Sequence, residues 1–166
     1  GDHRDLLSIR RRQRQMCIRD RCHICEISID KKTGRIEIDN YSATDDFGKI
    51  INPLLVAGQV HGGIVQGLGQ AMGEHAIYEE ETGQLINGSY MDYHMPRADE
   101  FPEFDLEFNQ DAECTTNMLG AKGCGEAGTV ASTTAYVNAI YDALSDYNFD
   151  ELDMPITCLL YTSPSP

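Results

Sequence analysis

A single carboxylate lies in a loop that is nearly free of other side chains. The segment Gly120-Ala-Lys-Gly-Cys-Gly-Glu126-Ala-Gly128 has four glycines, which let the backbone turn sharply and approach a ligand closely. A carboxylate presented in this way can accept a proton from a reacting group, which is the role of a general base. The other interpretation is a glycine-rich turn that opens the next helix. The loop alone does not decide between the two.

A second segment with chemical potential precedes this loop. It reads Gln59-Val-His-Gly-Gly-Ile-Val-Gln66-Gly-Leu-Gly-Gln70, and Gln59 stands 67 residues before Glu126. An amide can donate a hydrogen bond without adding charge, although a buried amide that caps local backbone is an alternative for Gln59. A dinucleotide-binding interpretation of Gly67-Leu-Gly69 is rejected, because these glycines lie within a helical pattern rather than between a strand and a helix.

Together, the two segments resemble motifs of the molybdopterin-binding large subunit of the xanthine dehydrogenase, aldehyde oxidase and carbon monoxide dehydrogenase family. Their order and spacing are those of the family. Three further segments resemble it as well: Asp46–Pro53, Gly88–Pro96 and Leu152–Thr157. The resemblance extends from about Ile24 to Thr157, so the chain is identified as a C-terminal fragment of such a subunit.

The resemblance implies a molybdenum hydroxylase that oxidises an aldehyde, an N-heterocycle or a related small molecule with water as the oxygen source. The implied cofactor is molybdenum-molybdopterin in its cytosine dinucleotide form, and the implied partners are subunits or domains that carry iron-sulfur clusters and FAD. Because those parts are missing here, we expect the fragment alone to be inactive. The implied compartment is the cytoplasm, with the periplasm as the alternative for the parent protein.

The resemblance also assigns roles to individual residues. Glu126 matches the general base, and Gln59 matches the glutamine whose amide donates toward the metal and the pterin. Lys122, Gly123 and Gly125 line the loop of the base and are implied to bind the cofactor, and no side chain is implied to ligate the metal. Lys122 has a second interpretation as a surface charge. Two other functional classes stay open, namely a binding module without catalysis and a chimeric reading frame that is never expressed.

Both ends of the chain resemble translated sequencing-adapter sequence. This resemblance divides the chain into a non-native extension at 1–21, a partial molybdopterin-binding domain at 22–157 and a non-native tail at 158–166. A basic nucleic-acid arm is the other interpretation of the arginine-rich first stretch, but it does not explain the adapter-like tail. Since neither end was selected to pack, we expect few specific contacts between the ends and the remainder.

Acidic residues dominate the composition, and the formal net charge is −14. Such a surface repels phosphate backbones and anionic lipids, which disfavours nucleic acid as a partner. No apolar run approaches the roughly 20 residues that a membrane-spanning helix needs, so we expect a soluble protein. Cys22-His-Ile-Cys25 has the spacing of a zinc or redox site, but it lies in a strand pattern and at the boundary of the predicted domain.

The elements that must position the two motifs indicate an α+β fold, with mixed helix and sheet, as a fragment of the molybdenum-cofactor-binding domain. Alternating apolar residues predict a hairpin, and apolar residues at longer intervals predict helices on either side of two further strands. The repeated glycines of the first helix suggest either close packing of the backbone or an irregular turn against a cofactor. The predicted elements are a hairpin over 24–39, a helix over 54–75, strands over 89–94 and 104–109, and a helix over 129–144 capped by Thr129.

Overall fold

The computed structural model describes residues 6–7, 21–112, 114–146 and 152–157 of the chain. Most of the predicted extension and all of the predicted tail lie outside these ranges. Within the extension, Leu6–Leu7 forms the short strand β1, and Arg21 is the first residue of β2 (Arg21–Ile29). The expectation of few contacts is wrong at these three residues, because Leu6 and Leu7 pair with β2 and Arg21 pairs with Asp45 of β3. The division into domain and extensions stays a prediction.

The predicted hairpin is confirmed. Strand β2 pairs antiparallel with β3 (Ile36–Asp46), and Gly34 takes a φ of +69° in the connecting turn. Asp30 closes this turn by accepting a hydrogen bond from the backbone N–H of Lys32 at 2.9 Å. The register shifts between Glu26 and Ile27. This irregularity explains why the apolar residues of β2 alternate imperfectly in the sequence.

Strand β4 (Phe104–Asn109) is confirmed and lies parallel to β3, which completes a sheet in the order β1-β2-β3-β4. The strand predicted over 89–94 is wrong. There the Ser89 hydroxyl donates to Asp92 at 2.6 Å, and the Ser89 carbonyl accepts from the N–H of Tyr93 at 2.9 Å. Local bonds of this kind satisfy the backbone within a turn, so the segment does not pair as a strand.

Both predicted helices are confirmed, with one correction to a cap. Helix α1 (Pro53–Met72) begins after Asn52, whose side chain accepts a hydrogen bond from the N–H of Leu55 at 3.2 Å. Helix α2 (Ala127–Ala143) begins two residues earlier than predicted, with Glu126 at the N-cap. Thr129 is therefore not the cap. Its hydroxyl donates instead to the Gly63 carbonyl of α1 at 3.0 Å.

The two helices cross at a contact built from small residues. A Cβ atom on Gly128 would lie 2.5 Å from the backbone nitrogen of Ile64, and a Cβ on Gly67 would overlap Ser132. Thr133 also donates its hydroxyl to the Gly67 carbonyl at 3.0 Å. Part of the glycine content of α1 is thus explained by close approach of the helix backbones.

Helix α2 packs on β2 on one side and on α1 on the other, and this arrangement confirms the α+β class. The core is formed by buried residues of the sheet and both helices, among them Tyr41, Ile64, Leu68 and Ile140. The segment 152–157 closes it, since Ile156 is buried and its N–H donates to the Ala71 carbonyl at 2.7 Å. Neither α1 nor α2 is long and apolar enough to cross a bilayer.

Candidate functional site

Gln59 and the glutamate loop meet in the folded chain. Gln59 lies in the second turn of α1, and its Nε2 donates a hydrogen bond to the Gly125 carbonyl at 2.9 Å. The side chain is exposed, so the alternative of a buried amide is wrong. The amide of Gln59 therefore reaches the peptide unit directly before Glu126.

Glu126 is presented to solvent at the start of α2. It occupies the N-cap with φ −109° and ψ 9°, and its side chain makes no capping hydrogen bond. The residue is exposed, whereas the next two residues, Ala127 and Gly128, are buried against α1. The helix thus fixes the backbone of Glu126 and leaves its carboxylate accessible.

The loop that carries Glu126 is held at its start by backbone hydrogen bonds. Gly120 takes a φ of +68°, and its carbonyl accepts from the N–H groups of Lys49 and Cys114, both at 3.0 Å. The N–H of Lys122 donates to the Phe47 carbonyl at 2.8 Å, and Asn117 donates its side-chain amide to the Ala121 carbonyl at 2.8 Å. Residues 120–122 are consequently fixed against the segment that follows β3.

Lys122 lies in the loop, but its ammonium group is directed into the protein. It forms an ion pair with Asp46, the last residue of β3, and only 5% of each side chain is exposed. The interpretation of Lys122 as a surface charge is therefore wrong. Cofactor binding by Lys122 stays a prediction.

Several glycines leave the backbone open beside Gln59 and Glu126. A Cβ atom on Gly58, Gly62 or Gly125 would meet no other atom within 4 Å. Gly123 and Gly125, the predicted cofactor-binding glycines, are both exposed. Of the loop glycines, only Gly120 takes a positive φ. This surface can therefore accept a ligand in direct contact with the backbone.

A buried polar network lies beneath the site. His23 contacts the Tyr41 hydroxyl through Nδ1 at 2.7 Å and the Asp45 carboxylate through Nε2 at 3.4 Å. Arg21 lies 3.7 Å from the same carboxylate and donates to the Ala127 carbonyl at 3.2 Å. The network thereby links the sheet to the first turn of α2, next to Glu126.

Burial controls the protonation of Tyr41 and of its strand partner Cys25. It raises the pKa of the Tyr41 hydroxyl well above its usual range, with the charges of Cys25 and Asp45 adding to the effect. Tyr41 thus keeps its proton, and its hydroxyl lies within hydrogen-bonding distance of Nδ1 of His23. Burial likewise raises the pKa of Cys25 to about 12, assisted by Glu26 and Asp39.

Sequence reasoning missed the residues that support the site. Asp46 stands in a segment that resembles the family, but no role was assigned to it, and a carboxylate directly before Phe-Gly at a strand end was the available signal. His23, Tyr41 and Asp45 gave no signal, since each reads as an ordinary strand residue. Within the ranges the structure describes, no group of three His, Cys, Asp or Glu side chains could hold a metal ion.

The chain is similar to a known protein family and to characterised proteins. A family model described as "Molybdopterin cofactor-binding domain" matches residues 11–102. The 6-hydroxypseudooxynicotine dehydrogenase complex subunit gamma of Paenarthrobacter nicotinovorans is 42% identical over 123 residues, which cover 74% of this chain and 15% of that protein. The carbon monoxide dehydrogenase large chain of Hydrogenophaga pseudoflava is 33% identical over 135 residues, covering 81% of this chain and 17% of the relative.

A solved structure has the same fold. The crystal structure of the carbon monoxide reduced state of Cu,Mo-CO dehydrogenase superposes with a TM-score of 0.79 at 32% identity, over 85% of this chain and 18% of the matched chain. The chain thus spans about one sixth of the length of the curated relatives that it matches.

Proposed function

Because the chain belongs to the molybdopterin cofactor-binding domain family of the carbon monoxide dehydrogenase and xanthine dehydrogenase large subunits, we propose that it carries the general base of a molybdenum hydroxylase. The observation that carries the proposal is the hydrogen bond from Gln59 to the Gly125 carbonyl. It brings together two motifs that are far apart in the sequence, and it does so directly beside the exposed Glu126.

Exposed backbone around these residues supports direct contact with a cofactor. The backbone is open at Gly58, Gly62 and Gly125, and among the residues that the structure describes no other side chain lies within 4 Å of a Cβ placed there. We assign the binding of the molybdenum-molybdopterin cofactor to Gln59, Gly123 and Gly125. Gln59 has a second amide hydrogen besides the one bonded to Gly125, and this hydrogen can donate to a cofactor oxygen.

When bound, the cofactor supplies a two-electron oxidation in which a water oxygen enters a C–H bond of the substrate, releasing two protons and two electrons. Glu126 accepts one of these protons as the oxygen joins carbon. The carboxylate suits this task because α2 fixes its backbone while no capping bond engages its oxygens. The substrate class we propose is an aldehyde, an N-heterocycle or a related small molecule.

Further parts of the proposal concern the parent protein. The cofactor is the cytosine dinucleotide form, and the electrons leave through iron-sulfur and FAD subunits or domains outside this chain. The parent acts in the cytoplasm, with the periplasm as the other compartment. Lacking these parts, the 166-residue chain has no hydroxylase activity of its own.

The test is to express the intact parent and to analyse it for molybdenum and for released CMP, which identifies the cytosine dinucleotide form. Turnover of aldehydes and N-heterocycles in ¹⁸O-labelled water then identifies the oxygen source. We expect near-stoichiometric molybdenum and label in the product. A folded parent that lacks molybdenum would instead support a binding module without catalysis.

A further inference from the structure

Lys122 is buried although its side chain is long and charged. Only 5% of the side chain is exposed, and its ammonium group pairs with Asp46, which is buried to the same extent. Lysine is almost never buried without such a partner. A lysine that binds a ligand at the open surface would extend toward Gly125 and Glu126, whereas Lys122 extends toward the end of β3.

Asp46 joins this ion pair to a second contact. Its other carboxylate oxygen accepts the N–H of Gly48 at 2.7 Å, while Gly48 takes a φ of +59°. A Cβ atom on Gly48 would overlap the Gly120 carbonyl, so the two segments approach as closely as their backbones allow. Gly48 also forms an isolated antiparallel bridge with Ala121.

Lys122 thus lies between two parts of the loop, the part that is bonded to residues 47–49 and the part that leads to Glu126. The residues before it are bonded to 47–49 through the backbone. The residues after it contact α1 through the hydrogen bond from Gln59 to Gly125. A change in the position of Lys122 would therefore move the backbone that leads to Glu126.

We propose that Lys122 is a positioning residue, and that its buried ion pair with Asp46 holds the loop in the conformation that places Gly125 against Gln59 and presents Glu126. The inference rests on the proposed function for the role of Glu126. The ion pair itself acts in the chain without any cofactor. Removing one partner of a buried pair leaves an uncompensated charge, so Lys122→Met opens the loop in order to hydrate Asp46.

Hydrogen exchange of the cofactor-free, 166-residue chain tests this role. In Lys122→Met we expect the hydrogen-bonded amides of the loop, those of Ala121, Lys122 and Ala127, to exchange at least tenfold faster by NMR, while those of Ile64 and Leu68 in α1 change less than twofold. Lys49→Met is the matched control, since Lys49 is an exposed lysine next to the same anchor. All amides of Lys49→Met should exchange at the rates of the parent chain.

The result that would overturn the inference is unchanged exchange at 120–127 in Lys122→Met, as expected if the lysine served only to bind the cofactor. If Lys122→Met does not fold, the double variant Lys122→Met/Asp46→Asn removes both charges and keeps an acceptor for Gly48. This variant should fold, and because it lacks the hydrogen bond from the Lys122 ammonium group to Asp46, its loop should still exchange at least tenfold faster. Parental exchange in the double variant would equally reject the positioning role.

A readout in the intact parent separates this inference from the proposed function. Lys122→Met should lower turnover roughly 10- to 100-fold through misplacement of Glu126, with molybdenum content near the parental value. If the variant lost molybdenum and its loop amides exchanged at the parental rate, Lys122 would be a cofactor-binding residue and not a positioning residue. If the parent held no molybdenum, the proposed function would fail, while the exchange result in the isolated chain would stand.

Discussion

At the level of single residues, the site depends on where three polar side chains are directed. Glu126 faces solvent, Gln59 bonds to the loop backbone, and Lys122 is turned inward to Asp46. The motifs predicted that these residues belong to one site. Directions of side chains were not predictable, because the partner of Lys122 is distant in sequence and follows from the packing of β3.

Gln59 should contribute little to stability if its role is at the site. Gln59→Ala removes a single hydrogen bond at an exposed position, so we expect the free energy of unfolding to fall by about 1 kcal/mol or less. Urea unfolding followed by circular dichroism measures this change, with Gln70→Ala as a control at another exposed position of α1. A loss above about 2 kcal/mol would mean that the amide is mainly structural.

The buried thiol of Cys25 lowers the free energy of unfolding as pH rises into the alkaline range. Its pKa is raised from 9.0 to about 12 in the folded chain. Above pH 9 the unfolded chain releases this proton while the folded chain keeps it, so stability is full below pH 9 and falls as pH rises toward 12. The slope from this group is at most about 1.4 kcal/mol per pH unit.

Unfolding of the parent chain and of Cys25→Ala between pH 8 and 11 measures that contribution. At pH 8 the variant should be less stable than the parent chain because its side chain is smaller. Above pH 9 its free energy of unfolding should fall less steeply than that of the parent chain. Cys124→Ala removes a half-buried thiol and serves as the control. Parallel pH curves for Cys25→Ala and the parent chain would contradict the assignment.

At the scale of elements, the crossing of α1 and α2 determines the site, because it sets Gln59 on one helix beside the start of the other. The sequence predicted both helices from their periodicity and suggested close packing from the glycines of α1. It could not tell packing glycines from open ones. That distinction depends on which face of α1 meets α2, and both kinds occur in the same helix.

Two glycines of α1 should respond in opposite ways to the same substitution. Gly62→Ala adds a methyl group in open space, so we expect a gain of about 0.5–1 kcal/mol in stability from helix propensity. Gly67→Ala adds the methyl group against Ser132 and the Thr129 carbonyl, so we expect a loss of about 1–3 kcal/mol. Thermal unfolding of the two variants measures both. A loss of equal size in each would mean that Gly62 also packs within the chain.

Two element predictions failed because of hydrogen bonds that the sequence pattern does not reveal. The strand predicted over 89–94 is a turn, because Ser89 satisfies nearby backbone and side-chain groups through its own hydroxyl and carbonyl. Thr129 has the residue type of a cap but donates its hydroxyl across to α1. Both cases require knowledge of a partner that periodicity does not supply.

At the scale of the whole molecule, the described residues form one wall of the proposed site. The chain spans about one sixth of its curated relatives, and Gln59, Gly125 and Glu126 are exposed on it. We therefore expect the purified 166-residue chain to contain less than one-tenth of an equivalent of molybdenum and to oxidise no aldehyde or N-heterocycle. Metal analysis and steady-state assays check this. Near-stoichiometric metal with turnover would contradict the dependence on other parts of the parent.

The reductive half-reaction of Glu126→Gln in the intact parent enzyme tests directly whether Glu126 is the general base. Glutamine keeps the shape and a hydrogen-bonding group but cannot accept the proton, so we predict a rate 10² to 10⁴ times lower, at parental molybdenum and pterin content. Glu80→Gln, which alters an exposed carboxylate in a turn, should keep the parental rate. A fully loaded Glu126→Gln enzyme that reacts at the parental rate would contradict the assignment of Glu126 as the general base.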